Sequence, residues 1–116
     1  MIQIKDHRPL KGILQVAFHP QLISLVVWAS YRYSSFIVTS AYREGDPGVH
    51  GQIPCRGLDI RSYVFADAAA VVADINEHWV YDPQRPEFKC AILHDVGMGI
   101  HIHLQSHDRT FYVGQG

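Results

Sequence analysis

The sequence predicts an α+β fold in which a small antiparallel or mixed sheet packs against two main helices. Three observations lead there. Two segments, residues 20–34 and 66–80, carry helical apolar spacing. Short β-branched and aromatic runs lie between and after them. The runs "KCAILHD" and "GIHIHLQ" flank only Val96, Gly97 and Met98, the spacing of an antiparallel hairpin.

In chain order, "HPQLISLVVWASYRY" opens with Pro20, which suits a first helical turn, and spaces Leu22, Val26 or Val27, and Ala29 to Tyr33 in a broad apolar stripe. "SSFIVTSAYR" then brings Phe36, Ile37, Val38 and Thr39 together as a buried strand over 36–41. "EGDPGVHGQIPC" holds three glycines and two prolines, so it reads as a loop. "RGLDIRS" returns to strand character over 56–61. "ADAAAVVADINEHWV" is the strongest helix signal, with alanines for propensity and Ala69, Val72, Ala73 and Ile75 or Asn76 on one face. "YDPQRPE" is a turn, and strands at 89–94 and 99–105 follow.

The chain of 116 residues has the length of one domain, taken as residues 1–116. Its net charge of −1 and lack of a lysine-rich run argue against a nucleic-acid binder. The longest apolar run, "LISLVVWAS", is far below a bilayer span, so no membrane insertion is expected. "MIQIKDHRPLKG" lacks the features of a secretory leader, which predicts a protein cytoplasmic as synthesised. Cys55 and Cys90 are expected to stay reduced. Histidine is the unusual component: eight in so short a chain direct attention to their positions.

In a strand, residues two apart share a face, so His101 and His103 point together and Ile100, Ile102 and Leu104 point the other way. Such a pair suits a metal site, and it equally suits a wet strand face. Asp59 sits between Leu58 and Ile60 and must face water, a partner or a metal. His50 is either a loop residue in solvent or a ligand. A catalytic zinc takes three protein ligands and keeps an open position, a requirement that His50, Asp59 and His103 meet. Arg43, at a strand end, is either a surface ion pair or a clamp for a substrate carboxylate or carbonyl.

"VTSAYREGDPGVHGQIPCRGLDIR" followed by "GIHIHLQ" resembles the zinc D-Ala-D-Ala carboxypeptidase and L-Ala-D-Glu endopeptidase family, including small phage endolysin domains. That family shares a core with lysostaphin-type endopeptidases and the hedgehog signalling domain. The resemblance runs from about Leu22 to Gln105 and rests on "TSAYR", His50 with Asp59, and "HIH". It implies a hedgehog/peptidase-like fold, with His50, Asp59 and His103 as zinc ligands. It further implies that His101 assists the attacking water and that Arg43 holds substrate. His94 and Tyr42 are implied as supporting residues, with Tyr42 more suited to packing than to chemistry. The implied activity is hydrolysis of an amide in the peptide stem of bacterial peptidoglycan, by a phage or prophage lysis-type enzyme released to the wall by another factor.

Two departures accompany the resemblance. The interval between His50 and Asp59, "GQIPCRGL", has eight residues where relatives usually have six, and it includes Cys55 as a conceivable substitute ligand. Gly99 and Ile100 stand where many relatives place an acidic base before the last ligand. The second departure leaves open a non-enzymatic phage structural or binding protein that keeps the fold, with or without zinc.

Overall fold

A computed structural model describes residues 1–95 and 99–114. The expected hairpin turn at Val96, Gly97 and Met98 lies outside the described residues. The fold is α+β, with three α-helices, a mixed five-stranded sheet and a separate two-stranded ribbon.

The chain begins with β1 (Gln3–Ile4) and α1 (His7–Gln15), neither of which the apolar pattern announces. Asp6 caps α1 by accepting the Arg8 backbone N–H at 2.9 Å, satisfying one of the donors a helix start leaves over. Its Leu10 and Leu14 are exposed, while Pro9 and Gly12 are buried, so hydrophobicity does not track the packed side. Gly12 is needed at this contact because a Cβ there would lie 2.7 Å from the Tyr42 carbonyl oxygen.

Helix α2 (Pro20–Arg32) starts at its proline as expected and ends two residues before 34. The buried stripe is Leu22, Leu25 and Ala29 with Val26 packed against the same core; Val27 is exposed, so of the two expected valines Val26 is the inward one. Helix α3 (Ala68–His78) is capped by Asp67, which accepts the Ala70 N–H at 3.0 Å. Its inward side is Ala68, Val71, Val72 and Ile75, one step away from the expected face, since Ala69 and Ala73 are exposed. The helix stops before 80 because Trp79 and Val80 leave as β4 (Trp79–Val80), pairing antiparallel with β7 (Phe111–Tyr112).

The main sheet contains β2 (Ile37–Ser40), β3 (Gly57–Arg61), β5 (Ala91–Asp95) and β6 (Ile100–Gln105) in the order β1-β2-β3-β6-β5. Only β1–β2 is parallel. Val38, Leu58, Ile60, Ile102 and Leu104 are buried on one face with Leu22, Leu25 and Ile75 of the helices. Asp59 pairs with His103, and His94 pairs with His101, so all four belong to the opposite face. Between β2 and β3 the register slips after Val38, pairing Ser40 with Asp59. This bulge brings Ser40 to the same polar face as Thr39, the kind of re-aiming that bulges provide.

Arg32 at the end of α2 ties down α3 through Asp74, donating from Nε at 2.5 Å and Nη2 at 2.9 Å, and the Tyr33 hydroxyl donates to the same carboxylate. Arg32's hydrogen bonds hold the Asp74 carboxyl below its usual range, against burial, with Tyr33 helping. A carboxyl depressed in the folded state stabilises above its unfolded pKa of roughly 4 and loses that contribution as pH falls through its folded value. Asp74→Asn is therefore expected to lower stability by about 1 kcal/mol at pH 7, Arg32 being partly exposed. Urea unfolding at pH 7 and pH 3 checks this: the gap between wild type and variant should shrink at the lower pH.

Candidate metal centre

Three side chains converge on the polar face of the sheet. Asp59 and His103 face each other across the β3–β6 ladder. His50 arrives from a single 3-10 turn, Val49–Gly51, in the loop after β2. That loop is fastened at several points. The Arg43 N–H donates to the His50 carbonyl at 2.9 Å, and the Arg56 N–H donates to Val49 at 3.2 Å. Gly51 passes so close to the Asp46 carbonyl that a Cβ would sit 1.8 Å from its oxygen, which only glycine allows. Between His50 and Asp59 the loop is tied down where Cys55 bridges to Phe18 and exchanges backbone hydrogen bonds with Ala17 and His19 at 2.9 Å. The eight-residue interval leaves His50 Nε2 3.2 Å from Asp59 Oδ1.

His50, Asp59 and His103 are all buried, and one ligand atom from each lies within 4.8 Å of the others. The hydrogen bonds around them fix which atoms face inward. His50 Nδ1–H donates to the Ala41 carbonyl at 2.7 Å, which leaves Nε2 with its lone pair 3.2 Å from Asp59 Oδ1. Gln105 Nε2 donates to the Lys89 carbonyl at 2.8 Å, so its Oε1 faces His103 and accepts from Nε2–H at 3.1 Å. His103 Nδ1 is then the acceptor 2.8 Å from the same Asp59 oxygen. Two neutral imidazole lone pairs and a carboxylate oxygen aimed at one another in a buried pocket repel unless a cation or protons lie between them. Acceptors such as the Ala41 carbonyl and Gln105 Oε1, which set the tautomer of a histidine from behind, are the usual support of a metal ligand. The group could hold a metal ion.

Where protons take the place of the cation, the facing nitrogens of His103 and His50 become donors: burial pushes the Asp59 carboxyl up, but those hydrogen bonds and the positive charge of the rings outweigh it and hold the group below the usual carboxylate range. Asp59 is therefore an anion at neutral pH, as a ligand must be. Cys55 takes no part: its buried thiol points at the carbonyls of Gly57, His50 and Val49. Both cysteines are free, as expected.

The cluster lies between two cavities. One, of about 560 Å³, is lined by Arg43, Pro47, His94 and Gln105 together with the three candidate ligands. The other, of about 380 Å³, is lined by Lys5, Arg8, Tyr42, Arg43, Asp59 and His101. The structure thus separates the expected residues into two groups that share Asp59 and Arg43. His94 has its ring 5.9 Å from that of His103. His101 Nδ1 stands 3.2 Å from Thr39 Oγ1, which alternation after the buried Val38 puts on the same polar face. Arg43 forms the surface ion pair of its first alternative, with Nη2 3.0 Å from Asp46, and the half-exposed side chain also borders both cavities. Tyr42 lines the second cavity while its backbone packs under α1.

Gln105, Thr39 and Asp46 escaped the sequence reading. For Gln105 a signal existed, because the period that joins His101 to His103 continues to residue 105. A second group of ligand-type residues, Asp74, Glu77 and His78 on α3, has its central carboxylate engaged by Arg32 and Tyr33. Among the described residues, no helix is long and apolar enough to cross a membrane. No family model, curated protein or solved structure matches the chain.

Proposed function

We propose that the protein is a zinc-dependent peptidase of the D-Ala-D-Ala carboxypeptidase and L-Ala-D-Glu endopeptidase type, with the hedgehog-like core of that group. Its substrate is an amide bond in the peptide stem of bacterial peptidoglycan, and its setting is phage or prophage lysis. The observation that carries the metal reading is the pair of pinned tautomers, which turns His50 Nε2 and His103 Nδ1 toward one Asp59 oxygen. Nitrogen and carboxylate donors in this mixture suit zinc. The peptide substrate comes from the resemblance of "TSAYR", His50 with Asp59, and "HIH" to that family.

His50, Asp59 and His103 would hold the ion, which supplies Lewis-acid polarisation of the scissile carbonyl and a more acidic water. His101 borders the adjoining cavity beside Asp59, where its imidazole takes the proton of the attacking water and returns it to the leaving amine. Water's oxygen joins the carbonyl carbon, the C–N bond breaks, and the proton ends on the new amine. Arg43, reachable from both cavities, orients the substrate through its planar fork once Asp46 releases or shares it.

A second reading has its own observation. Asp46 and Asp59, the carboxylates lining the two cavities, are both engaged, and Gly99 and Ile100 supply no acid, so the chemistry falls to histidine. In that reading the protein is a phage structural or binding protein that keeps the metal without hydrolysis. Metal analysis of the purified protein, followed by digestion of purified peptidoglycan with and without a chelator, decides. Stoichiometric zinc and chelator-sensitive release of stem peptides are expected. Zinc with no released peptide leaves the second reading, and no bound metal removes the peptidase reading and leaves a binding protein that keeps the fold alone.

A further inference from the structure

A third cavity, of about 490 Å³, forms where the first turns of α2 meet the β4–β7 ribbon, with Gln21, Ser24, Trp79, Thr110, Phe111 and Tyr112 in its wall. It shares no lining residue with the two cavities beside Asp59. Helix α2 packs on the core face of the sheet, whereas the three candidate ligands belong to the polar face or the loop above it. The wall also differs in kind. Lys5, Arg8, Arg43 and Asp59 put charge into the cavities at the cluster, and no charged side chain lines this one. Aromatic rings take their place, with Phe111 46% and Tyr112 43% exposed. Tyr112 is nevertheless held. Its ring stacks on that of His78 at 6.4 Å and 15°, with Trp79 at 5.4 Å and Trp28 at 6.0 Å. A half-exposed ring fixed by its neighbours is a platform with little freedom left to lose on binding.

The polar groups of the wall are unequally committed. Thr110 Oγ1 is engaged within the fold, accepting the His107 N–H at 2.8 Å and donating to the Tyr81 carbonyl at 2.7 Å. Gln21 Nε2 donates to the Asp108 carbonyl at 3.1 Å, which leaves its Oε1 to accept. Ser24 follows three residues later on the same side of α2; it is exposed, and its hydroxyl has no partner among the described residues. Trp79 is 6% exposed, and its indole N–H is buried without a hydrogen-bond partner. Buried indole N–H groups usually find one. We propose that this cavity binds a neutral sugar, a pyranose unit of an oligosaccharide. A pyranose packs the C–H groups of its face on aromatic rings and carries at its rim hydroxyls that both donate and accept. An ionic ligand meets no counter-charge here, and a purely apolar one leaves Gln21, Ser24 and Trp79 unanswered. The sugar face lies on Phe111 and Tyr112, its hydroxyls bond to Gln21 Oε1 and Ser24 Oγ, and one accepts from Trp79 Nε1–H. That last contact requires the Tyr112 ring to shift, because the N–H is shut off from solvent in the unliganded fold. Binding here requires neither the metal nor hydrolysis.

Chitotriose and cellotriose are titrated separately into the full chain without metal and followed by proton–nitrogen correlation NMR. Both consist of pyranose rings and only chitotriose carries acetamido groups, so the pair distinguishes an amino sugar from a plain one. With at least one of them, saturable shifts are expected at the backbone amides of Ser24, Phe111 and Tyr112 and at the Trp79 indole N–H. Phe111→Ala should weaken binding about tenfold, the scale of an aromatic contact, and Tyr112→Phe should retain it. Ser24→Ala changes an exposed position in a helix that accepts alanine, so the fold is kept, and loss of its hydroxyl should weaken binding by about threefold or more. No saturable shift with either sugar, or shifts that spare Tyr112 and the Trp79 indole, overturns the inference. Wild-type affinity in both Phe111→Ala and Ser24→Ala overturns it as well. None of these outcomes alters the zinc content or peptidoglycan digestion by which the peptidase reading stands or falls.

Discussion

His103→Ala should strip the protein of its metal. The substitution removes one of three convergent donors and leaves His50 and Asp59 as the remaining pair, too few for a tight site. Loss of a merely supporting partner costs about 10–100-fold in affinity, so loss of a ligand should exceed ~100-fold. Gln105→Ala provides the graded comparison. Gln105 only accepts the His103 Nε2–H, fixing the tautomer that turns Nδ1 inward, and its removal should fall within that 10–100-fold band. Competition with a chromophoric chelator measures both affinities. Thermal unfolding offers an independent readout, because a ligand present at 100 times its Kd stabilises by about 2.7 kcal/mol. Wild type should gain that increment with zinc, and His103→Ala should not. Wild-type zinc affinity in His103→Ala would mean that the site lies elsewhere.

Legibility of the sequence depended on whether a residue's neighbours repeat with the period of its element. His103 and Asp59 were legible because a polar side chain among Leu58, Ile60, Ile102 and Leu104 marks one face of a two-sided sheet, and the ladder then sets them opposite each other. The five-stranded sheet itself emerged for the same reason, except for its two-residue edge β1, which is too short to show a period. Helix α1 was hidden because a glycine and a proline, not leucines, occupy its packed side. Helix α3 was placed correctly but turned by one residue, since a run of alanines and valines gives many near-equivalent stripes and only packing on β5 selects among them. The extent of the His50 loop could not be judged from its residue count, because the Cys55–Phe18 bridge joins it to the α1–α2 connection. Ser40 entered the polar face through a register shift that no alternation predicts, since two residues after Val38 it would otherwise face the core.

His101→Ala should leave the metal in place and lower hydrolysis by about 10²-fold or more, the scale of a positioned acid–base group. The separation of roles follows from the strand. Two residues apart on one face, the Cα atoms of His101 and His103 are roughly 6–7 Å apart, so one ring can join the cluster while the other reaches a group bound next to it. His103 is held by Asp59 and Gln105, whereas His101 is turned to Thr39 and borders the cavity on the far side of Asp59. Removing the second ring therefore subtracts a proton carrier without touching a donor. Arg43→Ala should also retain metal, and its loss should appear mainly in KM because its guanidinium borders the cavities without joining the ligand set. His94→Ala identifies the rival base: its ring lies 5.9 Å from that of His103, and it lines the larger cavity whereas its cross-strand partner His101 lines the smaller one. Zinc content and peptidoglycan digestion measured on these variants test the assignment. Should His94→Ala abolish hydrolysis while His101→Ala retains it, the proton is handled from the larger cavity. Metal loss in His101→Ala with retention in His103→Ala would exchange the two histidines' roles. A full rate in both His101→Ala and His94→Ala would leave the cleft without a base and end the hydrolytic reading.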